Sequence, residues 1–259
     1  MFKTTFRHDF IHYFTILLPY KNTITSKIIG MIKQGNNCII CREKSCASKV
    51  LSISDLGILG SSCSTMEIAK GETILHEGSL TSHVIYLKKG LVKETMKGIG
   101  DNEQIFRIIK SKTYLGMSSL FGDTVNHFSY KALSNLTVCH IEISTFKKLM
   151  LDNAEFTYKI MENQCKENLH NYDKLLKQGQ KKIFGRLADA LLFFSKDIFD
   201  DNKFTLPLTQ QEIANFIGTS RESTARGLSN FRQNGIISIN NSVVEIIDIN
   251  LLKQVSRTG

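Results

Sequence analysis

The sequence predicts an α+β chain: an antiparallel β-roll, one long helix, and a C-terminal winged helix-turn-helix. Three observations carry that expectation. Short alternating or apolar runs, among them VIYL, QIFRII and VCHIEI, recur over residues 65–143 between glycine- and charge-containing turns, as antiparallel strands do. Residues 153–176 hold neither glycine nor proline and repeat a stripe at helical steps. Residues 209–237 read as two short helices joined by a tight turn, the outline of a helix-turn-helix.

At 259 residues, 42% hydrophobic and 22% charged, the chain has room for two domains that each bury a core. The expected division is an N-terminal extension over 1–35, a cysteine-containing loop plus β-roll over 36–150, the long helix over 151–178 and the winged helix-turn-helix domain over 179–259. The segment FIHYFTILLPY at 10–20 is apolar but interrupted by His12 and Thr15 and ended by Pro19. It is shorter than the roughly 20 apolar residues that span a bilayer, and no small-residue cleavage site follows it. Residues 1–35 therefore read as an extension of the kind an upstream start codon adds, with Met31 an alternative beginning. The expected location is cytoplasmic, without a membrane, and a reducing cytosol disfavours structural disulfides. The net charge of +9 divides as +6 over residues 1–50, +1 over 51–180 and +2 over 181–259. Nucleic-acid binding thus rests on motif placement and not on overall charge.

In the long helix Tyr158, Met161, Cys165, Asn168, Tyr172 and Leu175 follow alternating steps of three and four. That spacing suits a short coiled-coil seam between two copies, in which Asn168 trades stability for register, or a stripe that packs on the β-roll. The next helix, over 183–199, turns Leu187, Ala190, Leu191 and Phe194 inward. Thr209 and Glu212 have capping-box spacing, Gly218 can adopt the positive φ of the turn, and Thr219 and Ser220 offer hydroxyls to start the second helix. That helix, to about Asn234, packs Thr224, Leu228 and Phe231 and presents Arg221, Glu222, Ala225, Arg226 and Ser229. Arginine matches the guanine O6 and N7 acceptors, and a carboxylate accepts from the cytosine N4 amine. Double-stranded DNA is the expected partner, with Thr209, Gln210, Ser220, Arg221, Glu222, Ser223 and Arg226 as contacts. A second reading makes Glu222 the far half of a capping box begun at Thr219, on a solvated face. Runs at 236–239 and 243–247 flank Asn240 and Asn241, a turn pair suited to a hairpin wing.

The string SRESTAR at 220–226 resembles the recognition helix of the catabolite activator protein and fumarate-nitrate regulator (Crp/Fnr) family of bacterial transcription factors. KGETILHEG at 70–78 and IYLKKGLVK at 85–93 resemble the glycine-punctuated strands of that family's cyclic-nucleotide-binding-like roll, and the resemblance runs from about residue 36 to 259. It implies a transcription regulator that dimerises through the long helix, reads TGTGA-type half-sites with Arg221, Glu222 and Arg226, and meets RNA polymerase. A two-fold dimer implies a palindromic operator with half-sites about one DNA turn apart. The sequence contains no serine-histidine-aspartate grouping, P-loop or dinucleotide fingerprint, so no enzyme is expected. Members that bind cyclic AMP use a glutamate for the ribose and an arginine-serine pair for the phosphate. Here the matching segments YLGMSSLFG at 114–122 and HFS at 127–129 put Met117 and Phe128 at the glutamate and arginine positions. Neither can make those bonds, and cAMP is not expected.

Oxygen-sensing members hold a [4Fe-4S] cluster with three clustered N-terminal cysteines and one distant strand cysteine. The resemblance implies Cys38, Cys41, Cys46 and Cys139 as its ligands, with oxygen or nitric oxide as the signal; soft thiolates suit such iron. The spacing C-x2-C-x4-C is one residue shorter than usual between the second and third cysteines. His140 would point to the strand face opposite Cys139. Three other readings stay open: structural zinc on the N-terminal trio with Cys63 or a histidine, plain reduced thiols, and a different small effector in the roll.

Overall fold

The computed structural model describes residues 33–34, 37–98 and 102–259. Apart from residues 33–34, the extension expected over 1–35 lies outside the described residues, as does its apolar segment at 10–20.

Among the described residues nine strands build the N-terminal roll: β1 (Lys33–Gln34), β2 (Cys63–Ile68), β3 (Thr73–Leu75), β4 (His83–Lys89), β5 (Leu91–Lys97), β6 (Glu103–Lys110), β7 (Thr113–Leu115), β8 (Ser129–Ala132) and β9 (Leu136–Glu142). They form a five-stranded sheet in the order β1-β2-β9-β4-β7 and a four-stranded sheet in the order β3-β8-β5-β6. Every strand pair is antiparallel. Alternation along β9 explains how one strand serves two cores. Leu136 and Val138 enter the roll interior with Ile85, Leu87 and Tyr130, while Cys139 and Ile141 face a second cluster outside it. Gly90, between β4 and β5, has φ +100, and a Cβ there would lie 2.5 Å from the Leu136 side chain. The tight β4–β5 turn therefore requires glycine.

Helix α1 (Ile53–Ser61) precedes β2, α2 (Met117–Phe121) follows β7, and α3 (Ile143–Asp152) leads into the long helix α4 (Ala154–Gln180). The Asn153 side chain caps α4 by accepting from the Phe156 amide at 2.9 Å. Helix α4 roots in the outer cluster through Phe156 and Ile160, beside Leu56, Leu59, Cys63, Cys139 and Phe146. The seam residues do not join them. Tyr158, Met161, Tyr172 and Leu175 are 67%, 55%, 65% and 61% exposed, and Cys165 and Asn168 are also exposed. The stripe therefore does not pack on the β-roll of its own chain; the residues that do so are Phe156 and Ile160, offset around the helix.

The C-terminal domain comprises α5 (Ile183–Phe193), which runs into a π-helical turn at Phe194–Phe199, then β10 (Lys203–Thr205), α6 (Gln210–Ile217), α7 (Arg221–Gln233), β11 (Ile237–Asn240), β12 (Val243–Ile246) and α8 (Ile249–Thr258). The wing pairs Asn240 with Val243, so its two-residue loop is Asn241 and Ser242, one residue later than the Asn240–Asn241 turn expected from sequence. Asn241 takes the left-handed conformation at φ 54, which asparagine tolerates. Leu187, Phe194, Ile213, Leu228 and Phe231 centre the core, which continues into Leu91, Ile105 and Ile108 of the roll. The two domains thus share one apolar contact.

Phe231 is 1% exposed, and truncating a buried phenylalanine costs about 3–5 kcal/mol. Phe231→Ala should lower the stability of the C-terminal domain by that amount in urea unfolding; a loss under about 1 kcal/mol would mean the site relaxes around the void.

Candidate nucleic-acid interface and thiol cavity

The helix-turn-helix forms as its local chemistry dictates. Thr209 Oγ1 accepts from the Glu212 amide at 3.2 Å and Glu212 Oε2 accepts from the Thr209 amide at 2.8 Å, a complete capping box. Gly218 turns the chain at φ 68, and Ser220 caps α7 by accepting from the Ser223 amide at 3.2 Å. The cap is Ser220 and not Thr219. Glu222 nonetheless engages this helix start: its own amide and the Ser220 hydroxyl hold its carboxyl below the usual range. Thr224, Leu228 and Phe231 are buried, whereas Thr209, Gln210, Ser220, Arg221, Glu222 and Arg226 are exposed and Ser223 is half-buried. The seven expected contacts therefore gather at the N-termini of α6 and α7, where open amides and helix dipoles favour phosphate. Arg226 donates to Ser223 Oγ at 3.0 Å, which steadies its guanidinium on that face.

A polar network ties this domain to the sensor. Lys93 on β5 is buried and bonds Glu103 at 2.8 Å and Glu212 of α6 at 3.1 Å. Arg107 joins Glu94 at 2.6 Å to Glu167 of α4 at 2.7 Å. Lys174 of α4 donates to the Ile105 and Phe106 carbonyls at 3.1 and 2.7 Å and sits 4.0 Å from the Phe216 ring centroid. Burial pushes its pKa down to about 7, with Glu94 opposing and Arg107 adding to that shift. Arg107, Glu167, Lys174 and Phe216 border a cavity of about 380 Å³ between β6, α4, α5 and α6. At its wall the Arg186 Nε atom is buried without a hydrogen-bond partner.

Thiols gather on the other side of the roll. Cys38, Cys41, Cys63 and Cys139 line one cavity of about 30 Å³. The Cys63 thiol hydrogen-bonds Cys38 and holds it below its ordinary pKa; a bond to Cys63, together with burial, pushes Cys139 up. The loop that carries Cys38 and Cys41 is pinned by Tyr86, whose hydroxyl donates to the Glu43 carbonyl at 2.7 Å, and by Ser45, 2.9 Å from the Tyr114 hydroxyl. Cys46 is exposed and lies away from this cavity. Of the four ligands implied by the resemblance, three line this cavity, and the fourth thiol present is Cys63, which the sequence offered only as an alternative zinc ligand. His140 lies with Leu136 and Val138 on the face opposite Cys139, as expected, with its ring 5.9 Å from that of His83. Four thiols suit a thiophilic metal chemically. Among the described residues, no three His, Cys, Asp or Glu side chains already stand at ligand spacing, and 30 Å³ is about one water's share of the liquid. A multi-iron group exceeds that volume, so the cavity lining at Cys38 and Cys41 would have to draw back to admit it. At the positions where a nucleotide would need charge, Met117 is buried in the outer cluster and Phe128 packs edge-on to Phe106 at 5.5 Å.

Roll, long helix and exposed recognition helix define a two-domain DNA-binding transcription regulator. The cyclic nucleotide-binding domain family matches residues 65–153 and the Crp-like helix-turn-helix domain family residues 185–255. Transcriptional activator protein FnrA of Stutzerimonas stutzeri is 26% identical over 186 residues, 70% of this chain and 75% of FnrA. The fumarate nitrate reduction regulatory protein of Klebsiella oxytoca is 25% identical over 241 residues, covering 89% of this chain and 95% of its own. The structure of FixK2 from Bradyrhizobium japonicum shares the fold at a TM-score of 0.68 and 18% identity, over 76% of this chain and 98% of that one. The chain belongs to the Crp/Fnr family of transcriptional regulators. Among the described residues no helix is long and apolar enough to cross a membrane.

Two outcomes follow from this geometry. Arg226→Ala should remove about 1–3 kcal/mol of discrimination at one base position; an equal loss on every sequence in a binding-site selection would make Arg226 a phosphate contact instead. Lys174, depressed to about 7 in the fold against about 10.4 when unfolded, leaves the unfolded chain binding more protons between those values. Stability should therefore rise with pH across that window, the cost of the buried charge being fully present below pH 7. Lys174→Met should gain stability over wild type at pH 6.5 more than at pH 9.5 in urea unfolding, and a pH-independent difference would show that Lys174 stays protonated throughout.

Proposed function

We propose that this chain is a homodimeric, cytoplasmic regulator of the Fnr-like branch that binds palindromic double-stranded DNA, contacts RNA polymerase and responds to oxygen or nitric oxide through a cysteine-held [4Fe-4S] cluster. The observation that carries this reading is the convergence of Cys38, Cys41 and Cys139 on the cluster of side chains that also roots α4. The names of the FnrA and fumarate nitrate reduction relatives support the same branch. When bound, such a group supplies iron–thiolate bonds that oxidants break. The chain's own residues supply the rest. The 37–50 loop holds its thiols against β9, and Phe156 and Ile160 fix the first turns of α4 beneath them. The opposite side of those turns carries Tyr158 and Met161, the start of the exposed seam. A state of the loop that reorders this root favours one seam arrangement over another, which is the differential stability any switch requires.

Anaerobic purification, with iron, acid-labile sulfide and visible absorption measured before and after air, tests the cluster. The expected result is a brown protein with about four irons per chain that bleaches in air; a protein still colourless after anaerobic reconstitution rejects it. The dimer has its own test. Met161→Glu with Leu175→Glu places like charges along the seam and should yield monomers by sedimentation and at least tenfold weaker operator binding, whereas an unchanged dimer would remove the seam from the interface.

A second reading has one observation in its favour, the interdomain cavity with the unpartnered Arg186 Nε. There the signal is a small effector bound between the domains and the cysteines are structural, zinc-binding or incidental. Effector-dependent DNA binding that survives replacement of all the cavity cysteines by serine would favour it.

A further inference from the structure

We infer that Cys63 completes the thiol centre with Cys38, Cys41 and Cys139, that this set binds a thiophilic metal group, and that Cys46 stands outside it. The inference rests on the reading that these thiols are a metal centre, and it changes which residues form it.

Register places Cys63 there. Strands β2 and β9 pair antiparallel with Thr65 opposite Cys139 and Cys63 opposite Ile141. Residues two apart on a strand share a face, so Cys63, Thr65, Cys139 and Ile141 all lie on one side of the sheet. Cys63 is the diagonal neighbour of Cys139, at a separation side chains can bridge. Tyr86, opposite Cys139 on β4, lines the same cavity, and its hydroxyl secures the loop at the Glu43 carbonyl. That loop delivers Cys38 into contact with Cys63, and Cys63 in turn contacts Cys139. Cys41 lines the cavity beside them, with Lys88 contributing positive charge to its wall.

Cys46 is held out by its neighbours. Ser45 is 1% and Ala47 0% exposed, so the residue between them faces solvent. Ser45 is bonded on two sides, 2.9 Å from the Tyr114 hydroxyl and 2.8 Å from the Ser48 hydroxyl. Turning Cys46 inward would break both bonds and withdraw Ala47 from the core. With only four residues between Cys41 and Cys46, there is little chain to absorb that rotation. Zinc binding needs no oxidant, each thiol giving its proton to solvent as its sulfur donates to the metal; a [4Fe-4S] core in its 2+ state balances when ferrous and ferric iron are supplied in equal amounts with sulfide.

The test uses the full chain without oxygen, comparing wild type, Cys46→Ser, Cys63→Ser and Cys139→Ser, each checked for fold by circular dichroism. Equal ferrous and ferric iron with sulfide is one probe and zinc ion alone the other, with metal retention measured against a chelator. Wild type and Cys46→Ser should retain metal equally, while Cys63→Ser and Cys139→Ser lose at least tenfold in retention. Alkylation mapped by mass spectrometry on the wild type does not depend on any variant folding: Cys63 should become protected on loading, with Cys46 reactive throughout. Loss in Cys46→Ser equal to or greater than that in Cys63→Ser, or protection of Cys46 in place of Cys63, overturns the inference and leaves the cluster reading standing. Cys63-dependent zinc uptake without iron–sulfide uptake upholds the inference and rejects the cluster. A wild type that retains neither probe overturns both.

Discussion

A lysine ammonium buried on a sheet strand must be neutralised where it lies, and the joint between sensor and DNA-binding domain depends on how Lys93 meets that demand. The Lys93 side chain is almost wholly shielded while Glu103 and Glu212 stay partly in solvent, so removing a carboxylate leaves a buried ammonium short of a partner. Lys93 takes one carboxylate from its own roll, Glu103, and one from across the domain boundary, Glu212. The second is also the capping residue of α6. One carboxylate therefore starts the first helix of the DNA-binding motif and anchors that helix to β5. Either function alone would tolerate a small rotation of α6; the two together fix its start.

The neighbouring residue on β5 extends the same logic to the long helix. Successive strand residues point to opposite faces, so Lys93 reaches the C-terminal domain while Glu94 turns toward Arg107, which reaches Glu167 on α4. Two adjacent charged residues of β5 thus help to place the roll, the long helix and the recognition domain relative to one another. The Lys174 contacts with Ile105, Phe106 and Phe216 add a third tie on the same side. Such a junction has few intermediate positions, since each charge must either keep its partner or be desolvated without one.

What could be read from sequence followed from how local the interactions are. The capping box at Thr209 and Glu212, the left-handed turn at Gly218 and the inward stripe of Thr224, Leu228 and Phe231 are set within a few residues of chain, and all three were legible. The wing was legible as a hairpin but one residue early, because Asn240 and Asn241 are equally good turn formers and only pairing between Asn240 and Val243 decides between them. Strand β10, helix α8 and the π-turn at 194–199 carried no local signal strong enough to expect. The thiol centre was half legible. The clustered Cys38 and Cys41 stand out by spacing and Cys139 through the family resemblance, whereas Cys63, offered by the sequence only as an alternative zinc ligand, enters the cavity through the register of β2 on β9, which spacing along the chain does not encode.

Helix α4 makes the thiol cavity more than a local feature. Its first turns are committed on one side to the outer cluster through Phe156 and Ile160, and on the other they leave Tyr158 and Met161 in solvent. The same helix that roots Phe156 beside the cysteine loop carries the exposed stripe, Glu167 and Lys174 further along. The partners of Glu167 and Lys174, Arg107 and the Ile105 and Phe106 carbonyls, belong to β6 beside β5. Strand β5 carries the Lys93 anchor to α6. A continuous series of contacts therefore runs from the thiol cavity through α4, β6 and β5 to α6.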